Sequence, residues 1–190
     1  MEIHLIRHGQ TLANEKRLYC GQTDLPLSES GAKEIAALKT QGIYPNAELF
    51  FTSGLLRTDQ TLDIIHSGAK REAVPDIAEF KFGAFEQKSY EQLKEGQDYQ
   101  AWITDESGDF QCPGGESKNQ FKKRVIEGFE YIADKSRQHK AIVVCHGGTI
   151  AVIMEYLYPN AQNFYEWQPK PGRGYTLIYV SGRLHRYKKI

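Results

Sequence analysis

Two short apolar runs, far apart in the chain, end in the same way. Ile3-His4-Leu5-Ile6 stops at Arg7-His8-Gly9, and Ala141-Ile142-Val143-Val144-Cys145 stops at His146-Gly147-Gly148. Runs of this length and make-up read as buried strands. If the two are parallel neighbours, both imidazoles emerge at the carboxyl edge of one sheet, where open α/β folds place their ligands. Between them a third run, Leu49-Phe50-Phe51, stops at Thr52-Ser53 and leads into a helical stretch carrying Arg57. The pattern predicts a cationic pocket with two imidazoles, His8 and His146, at the strand ends.

Strand-like runs at 2–7, 48–52 and 141–145 alternate with helix-like stretches at 29–41, 54–67, 117–138 and 148–157. That order predicts an α/β fold: a three-layer αβα domain spanning 1–190, with a mostly parallel sheet and helices on both faces. Ser28 offers an N-cap, Ile35 and Leu38 share a helical face, and Gly42 supplies a stop. Ser117, followed by Phe121, Val125 and Phe129 at four-residue steps, opens an amphipathic helix. Residues 174–190 form two β-runs around Ser181-Gly182 and predict a closing antiparallel hairpin. Residues 83–116 are the least regular portion. With Phe85, Tyr90, Tyr99, Trp102 and Phe110 among polar residues, they suit a lid that sets substrate specificity.

The chain of 190 residues fits one domain, and its 24 basic and 24 acidic residues balance, so no general field recruits nucleic acid or an anionic membrane. The start, Met-Glu-Ile-His, has no basic leader, and no apolar stretch approaches the ~18 residues of a membrane span. A cytoplasmic protein is the expectation. Cys20, Cys112 and Cys145 form no CxxC pair, which predicts reduced thiols rather than a disulfide frame or a zinc knuckle. Cys145, beside His146, reads as a small apolar strand end rather than a nucleophile.

The residues suit phosphoryl transfer. A neutral imidazole attacks phosphorus competently, and the remaining demand is positioning and charge neutralisation. Arg7 and Arg57 present planar forks of donors that match phosphate oxygens. Asn14 adds an uncharged donor, and Gly9 and Gly147 leave room for close backbone approach. Repulsion from the arginines is expected to keep His8 neutral. Glu79, in Ile77-Ala78-Glu79-Phe80-Lys81-Phe82-Gly83, is the carboxyl best placed to protonate the leaving alkoxide and then to activate water. Its apolar neighbours and a bound dianion both favour the acid form. No HExxH or HxH spacing supports a metallohydrolase, and the first turn holds Gly9 rather than GxGxxG, so a dinucleotide-binding module does not fit.

Arg7-His8-Gly9-Gln10-Thr11 with Asn14 resembles the histidine phosphatase superfamily, the phosphoglycerate mutase-like proteins. The likeness continues through Gly21 to Ser28 with Gly31, through Ser53-Gly54-Leu55-Leu56-Arg57-Thr58, through Glu79 with Phe82-Gly83, through Gly115-Glu116-Ser117, and through His146-Gly147-Gly148. It implies that His8 is the phosphorylated nucleophile, that Arg7, Arg57 and His146 complete the phosphate pocket, and that Glu79 is the proton donor. It further implies phosphate or substrate contacts from Asn14, the backbone near Cys20-Gly21, and Gly147, with no metal and no cofactor.

Three positions depart from the pattern: Glu86-Gln87 stands where Glu-Gly is frequent, Cys145 where Ser is common, and Pro171-Gly172-Arg173-Gly174 where an Asn-Ser type of sequence is often found. The segment after Gly83 lacks the Arg-Arg-Ser and polyproline stretch of the glycolytic mutases, and its basic residues before Lys118 are Lys88 and Lys94. The expectation is therefore hydrolysis of a small phosphomonoester, with α-ribazole 5'-phosphate as the named candidate. The alternatives are a cofactor-dependent phosphoglycerate mutase and a non-catalytic phosphate-binding protein.

Overall fold

The computed structural model describes residues 1–180 and 182–190. In chain order the elements are β1 (Glu2–Arg7), α1 (Leu12–Glu15), α2 (Glu29–Thr40), β2 (Leu49–Thr52), α3 (Leu56–Ile65), β3 (Glu72–Ala73), α4 (Tyr90–Leu93), α5 (Gln97–Thr104), α6 (Lys118–Lys135), β4 (Lys140–Cys145), α7 (Gly147–Leu157), β5 (Gly174–Val180) and β6 (Arg183–Lys189). The strands form one sheet in the order β3-β2-β4-β1-β5-β6. The first four are parallel, and β5 and β6 continue the sheet antiparallel. The fold is thus the expected α/β class, with the closing hairpin in place. Of its expected Ser181-Gly182 turn, Ser181 lies outside the described residues.

Alternation along the strands divides the core between two layers. Ile3, Leu5, Ala141, Val143 and Cys145 face one side with Phe121, Val125, Phe129 and Ile132 of α6 and Ile150 to Met154 of α7. Ile6, Ile142 and Val144 face the other, against Ile35 of α2 and Leu62 and Ile65 of α3. Side chains of successive strand residues point to opposite faces, so a central strand buried on both must be apolar throughout. Its ends are then the places where polar chemistry can appear.

The helix starts follow their caps. Ser28 Oγ accepts from Gly31 N at 3.0 Å, and Ser117 and Gln120 form a reciprocal capping box. Gly42, at φ +72°, takes the left-handed turn after α2.

The 83–116 segment is more regular than its sequence suggests. It holds a 3-10 turn at Gly83–Phe85 and the helices α4 and α5. Phe85, Leu93, Tyr99 and Cys112 are buried in the same core layer as α6 and α7. Trp102 packs against Tyr19, Phe80, Phe82, Phe85 and Tyr99 at ring separations of 5.7–6.0 Å. Tyr90, by contrast, is half exposed. Among the described residues no helix is long and apolar enough to cross a membrane.

Candidate active site

β1 and β4 pair in parallel with Arg7 opposite Cys145, so the next residues, His8 and His146, leave the sheet side by side. Their ring centroids are 5.1 Å apart in an edge-on arrangement, and His8 N donates to Cys145 O at 3.0 Å. β2 pairs β4 on its other side through Thr52 and Val144, which brings Ser53 to the same edge. Ser53 Oγ lies 2.8 Å from His146 Nε2. Ser53 was not among the expected site residues. The strand end at Thr52-Ser53 was visible, but a hydroxyl there has no distinguishing sequence signal.

His8 is buried, and its Nδ1 lies 2.6 Å from Gly9 O. A carbonyl only accepts, so Nδ1 carries the ring proton and Nε2 keeps its lone pair. Arg57 Nε donates to that Nε2 at 3.3 Å. Burial holds the His8 pKa well below the ordinary histidine value, with Arg57 the second cause and Arg7 a smaller one, against the opposing pull of the Gly9 hydrogen bond. Desolvation therefore leads, where the sequence had suggested repulsion from the arginines. Burial lowers His146 in the same way, followed by Arg57 and His8. The pocket's positive charge consequently resides on Arg7 and Arg57.

Arg57 stands in the first turn of α3, where a cation opposes the helix dipole. Local acceptors offset this. Its Nη1 donates to Thr23 O at 3.0 Å and its Nη2 to Gly21 O. The α3 N-cap, Leu55, offers no side-chain bond, and Asp24 Oδ1 instead accepts from Leu56 N at 2.7 Å. Arg7 donates through Nη1 to Pro169 O at 2.8 Å, and its buried Nε has no partner among the described residues. Burial draws both guanidinium pKa values down, and Glu79 opposes this at each. Arginine remains cationic through such shifts.

Glu79 reaches the same edge from an irregular segment. Its Oε2 accepts from Gly148 N at 3.0 Å, in the first turn of α7, and its Oε1 from Phe80 N at 2.9 Å. A Cβ at Gly148 would collide with this carboxylate, and one at Gly147 would lie 3.0 Å from Arg7 Cζ. The paired glycines thus admit an acid and a guanidinium to one helix start. Asn14 closes a capping box, its Oδ1 accepting from Thr11 N and Thr11 Oγ1 at 3.0 Å each. Gly21 takes part through its carbonyl on Arg57, while its N–H is held by the Glu86 carboxylate. Glu86 also accepts from Gln22 N and Thr23 Oγ1, tying the 21–23 loop to the 83–116 segment.

Of the expected residues, His8, His146, Arg57, Arg7, Glu79 and Gly147 are linked by direct contacts or by shared charge. Gly21 joins through Arg57. Cys145 is fully buried and burial pushes its thiol pKa up, in keeping with a packing role. The model of the histidine phosphatase superfamily, branch 1, matches residues 3–184. A Cronobacter sakazakii protein described as "Probable phosphoglycerate mutase GpmB" is 25% identical over 157 residues, covering 81% of this chain and 73% of the relative. Among solved structures, a phosphoglycerate mutase from Thermus thermophilus is 29% identical with a TM-score of 0.73, covering 98% of each chain. The α-ribazole phosphatase from Shigella flexneri superimposes with a TM-score of 0.84 at 22% identity, over 97% of this chain and 93% of that one.

Proposed function

This chain belongs to the histidine phosphatase superfamily, branch 1, and from that footing we propose that it hydrolyses small phosphomonoesters through a phosphohistidine on His8. The observation that carries the reading is the His8 ring itself. Its proton is committed to Gly9 O and its Nε2 lone pair faces the Arg57 guanidinium, which makes it a neutral nucleophile beside a phosphate-binding fork.

In the first half-reaction Nε2 bonds to phosphorus as the bond to the leaving oxygen breaks. Arg7, Arg57, Asn14 and the Gly147 backbone bind the phosphoryl oxygens, and Glu79 gives its proton to the leaving oxygen. If the Ser53 hydroxyl donates to His146 Nε2, the only ring proton of His146 sits on Nδ1, a buried atom with no partner among the described residues, and the scheme assigns it to a phosphate oxygen. In the second half-reaction Glu79 takes a proton from water as the water oxygen bonds to phosphorus, and the bond to Nε2 breaks. Charge neutralisation falls to the two arginines in this scheme, so activity should persist in a chelator.

The proposed leaving group is flat, such as α-ribazole, with 83–116 as the lid over it. Tyr19, beside that segment, and Trp102, within it, are both only half-buried and offer ring faces. The names of the mutase relatives support a second reading, in which phosphoglycerate is the substrate and a bisphosphate primes the enzyme. Comparing kcat/KM for α-ribazole 5'-phosphate, p-nitrophenyl phosphate and both phosphoglycerates separates the two. Hydrolysis without a primer is expected, with preference for the flat ester. Primer-dependent interconversion of the phosphoglycerates, with little release of phosphate, would contradict it.

A further inference from the structure

The proposed acid, Glu79, sits on a stretch with no regular structure after the 3-10 turn at Pro75–Ile77, and something else must fix it. One side chain of α6 does so. Arg124 Nη1 donates to Asp76 O at 2.8 Å and Ala78 O at 2.7 Å, and its Nη2 donates to Glu79 O at 2.8 Å. The guanidinium is aligned by Glu116, with Nε–Oε2 at 2.9 Å and Nη2–Oε1 at 2.6 Å. Glu116 also accepts from Lys81 N at 2.7 Å, and its own N–H donates to Lys81 O at 3.0 Å. One turn further along α6 is Gly128, where a Cβ would lie 2.8 Å from Asp76 Cβ. A helix-interior glycine is unfavourable relative to alanine. Here it lets the 76–79 backbone lie directly on the helix.

We propose that Arg124, aligned by Glu116, is the positioning residue that holds Glu79 at the start of α7, so that its proton reaches the leaving oxygen. The role rests on the reading of Glu79 as the proton donor. Arg124 does not touch the phosphoryl group. It acts on the backbone carbonyls of Asp76, Ala78 and Glu79, and three acceptors at fixed spacing call for a planar fork that lysine does not have.

Leaving-group dependence tests this. With Arg124→Gln, kcat/KM for an alkyl phosphate such as glycerol phosphate should fall about 100-fold, and for p-nitrophenyl phosphate less than about threefold, because nitrophenolate departs without a proton. Arg124→Lys, melted alongside, should show the same selectivity with a smaller loss, and it carries the comparison if the glutamine variant does not fold. In a Glu79→Gln background, replacing Arg124 should cost nothing further on the alkyl ester, since both changes remove the same step. Equal losses on both esters in the Arg124 variants, or an undiminished loss in the Glu79→Gln background, would overturn the positioning role. Equal losses on both esters from Glu79→Gln alone would instead overturn the acid itself, and the proposal with it.

Discussion

Ser53 shows how much of the site depends on single polar contacts. Its hydroxyl is the partner of His146 Nε2 and also lies 3.2 Å from Thr58 Oγ1, all within a buried setting. Removing one member of a buried pair leaves the other desolvated, a cost of about 1–3 kcal/mol. Ser53→Ala should therefore lower stability by about 2 kcal/mol in urea unfolding. It should also reduce kcat/KM, because His146 loses the contact that orients its ring. An unchanged unfolding midpoint with full activity would mean that His146 is fixed by packing alone. Arg57 and Glu86 make the same point differently: neither meets the other, yet both hold Gly21 and Thr23, one from the carbonyls and one from the N–H and hydroxyl.

At the level of elements, the connection from Phe82 to Ser89 holds one of the three non-glycine residues with positive φ among the described residues. Gln87 adopts φ +60°, its N–H donates to Tyr19 O at 2.8 Å, and its side chain is exposed. The left-handed region disfavours any residue with a Cβ by about 1–2 kcal/mol. Gln87→Gly should thus gain up to about 1 kcal/mol after the greater entropy of an unfolded glycine is set against it. That corresponds to a rise of about 3 °C in Tm for a chain of this size. A fall in Tm would show that the glutamine side chain contributes contacts that outweigh the strain. The Glu86-Gln87 pair was legible as a departure from the Glu-Gly pattern, but its meaning came only with the backbone angle. Other elements divide along the same line. β1, β4 and α6 were plain from their apolar spacing, whereas β3 spans two residues and α1 and α4 span four each, too short for any periodicity. Arg124 follows Lys122-Lys123 and reads as part of a solvated face, and only the fold brings it against the carbonyls of 76–79.

Across the whole molecule, three buried histidines set the response to acid. His4 is lowered to about 4 from 6.5, chiefly by burial, and His8 and His146 lie well below 6.5 for the same first reason. Each takes up a proton more readily when unfolded. Their stabilising effect is full above pH 6.5 and is lost as pH falls through 6.5 toward the folded values, at up to about 1.4 kcal/mol per pH unit for each group. The urea midpoint should therefore drop clearly between pH 7 and pH 5, and a flat profile would place these rings in a protonated or solvated state. In the proposed mechanism the same neutrality at pH 7 fits His8 for attack on phosphorus, so that fold stability and the proposed catalysis share one physical origin. Rapid acid-free quenching with a radiolabelled phosphomonoester tests that account most directly. It predicts an acid-labile, base-stable label on the protein during turnover, absent from His8→Ala together with all hydrolysis; label or turnover persisting in His8→Ala would contradict it.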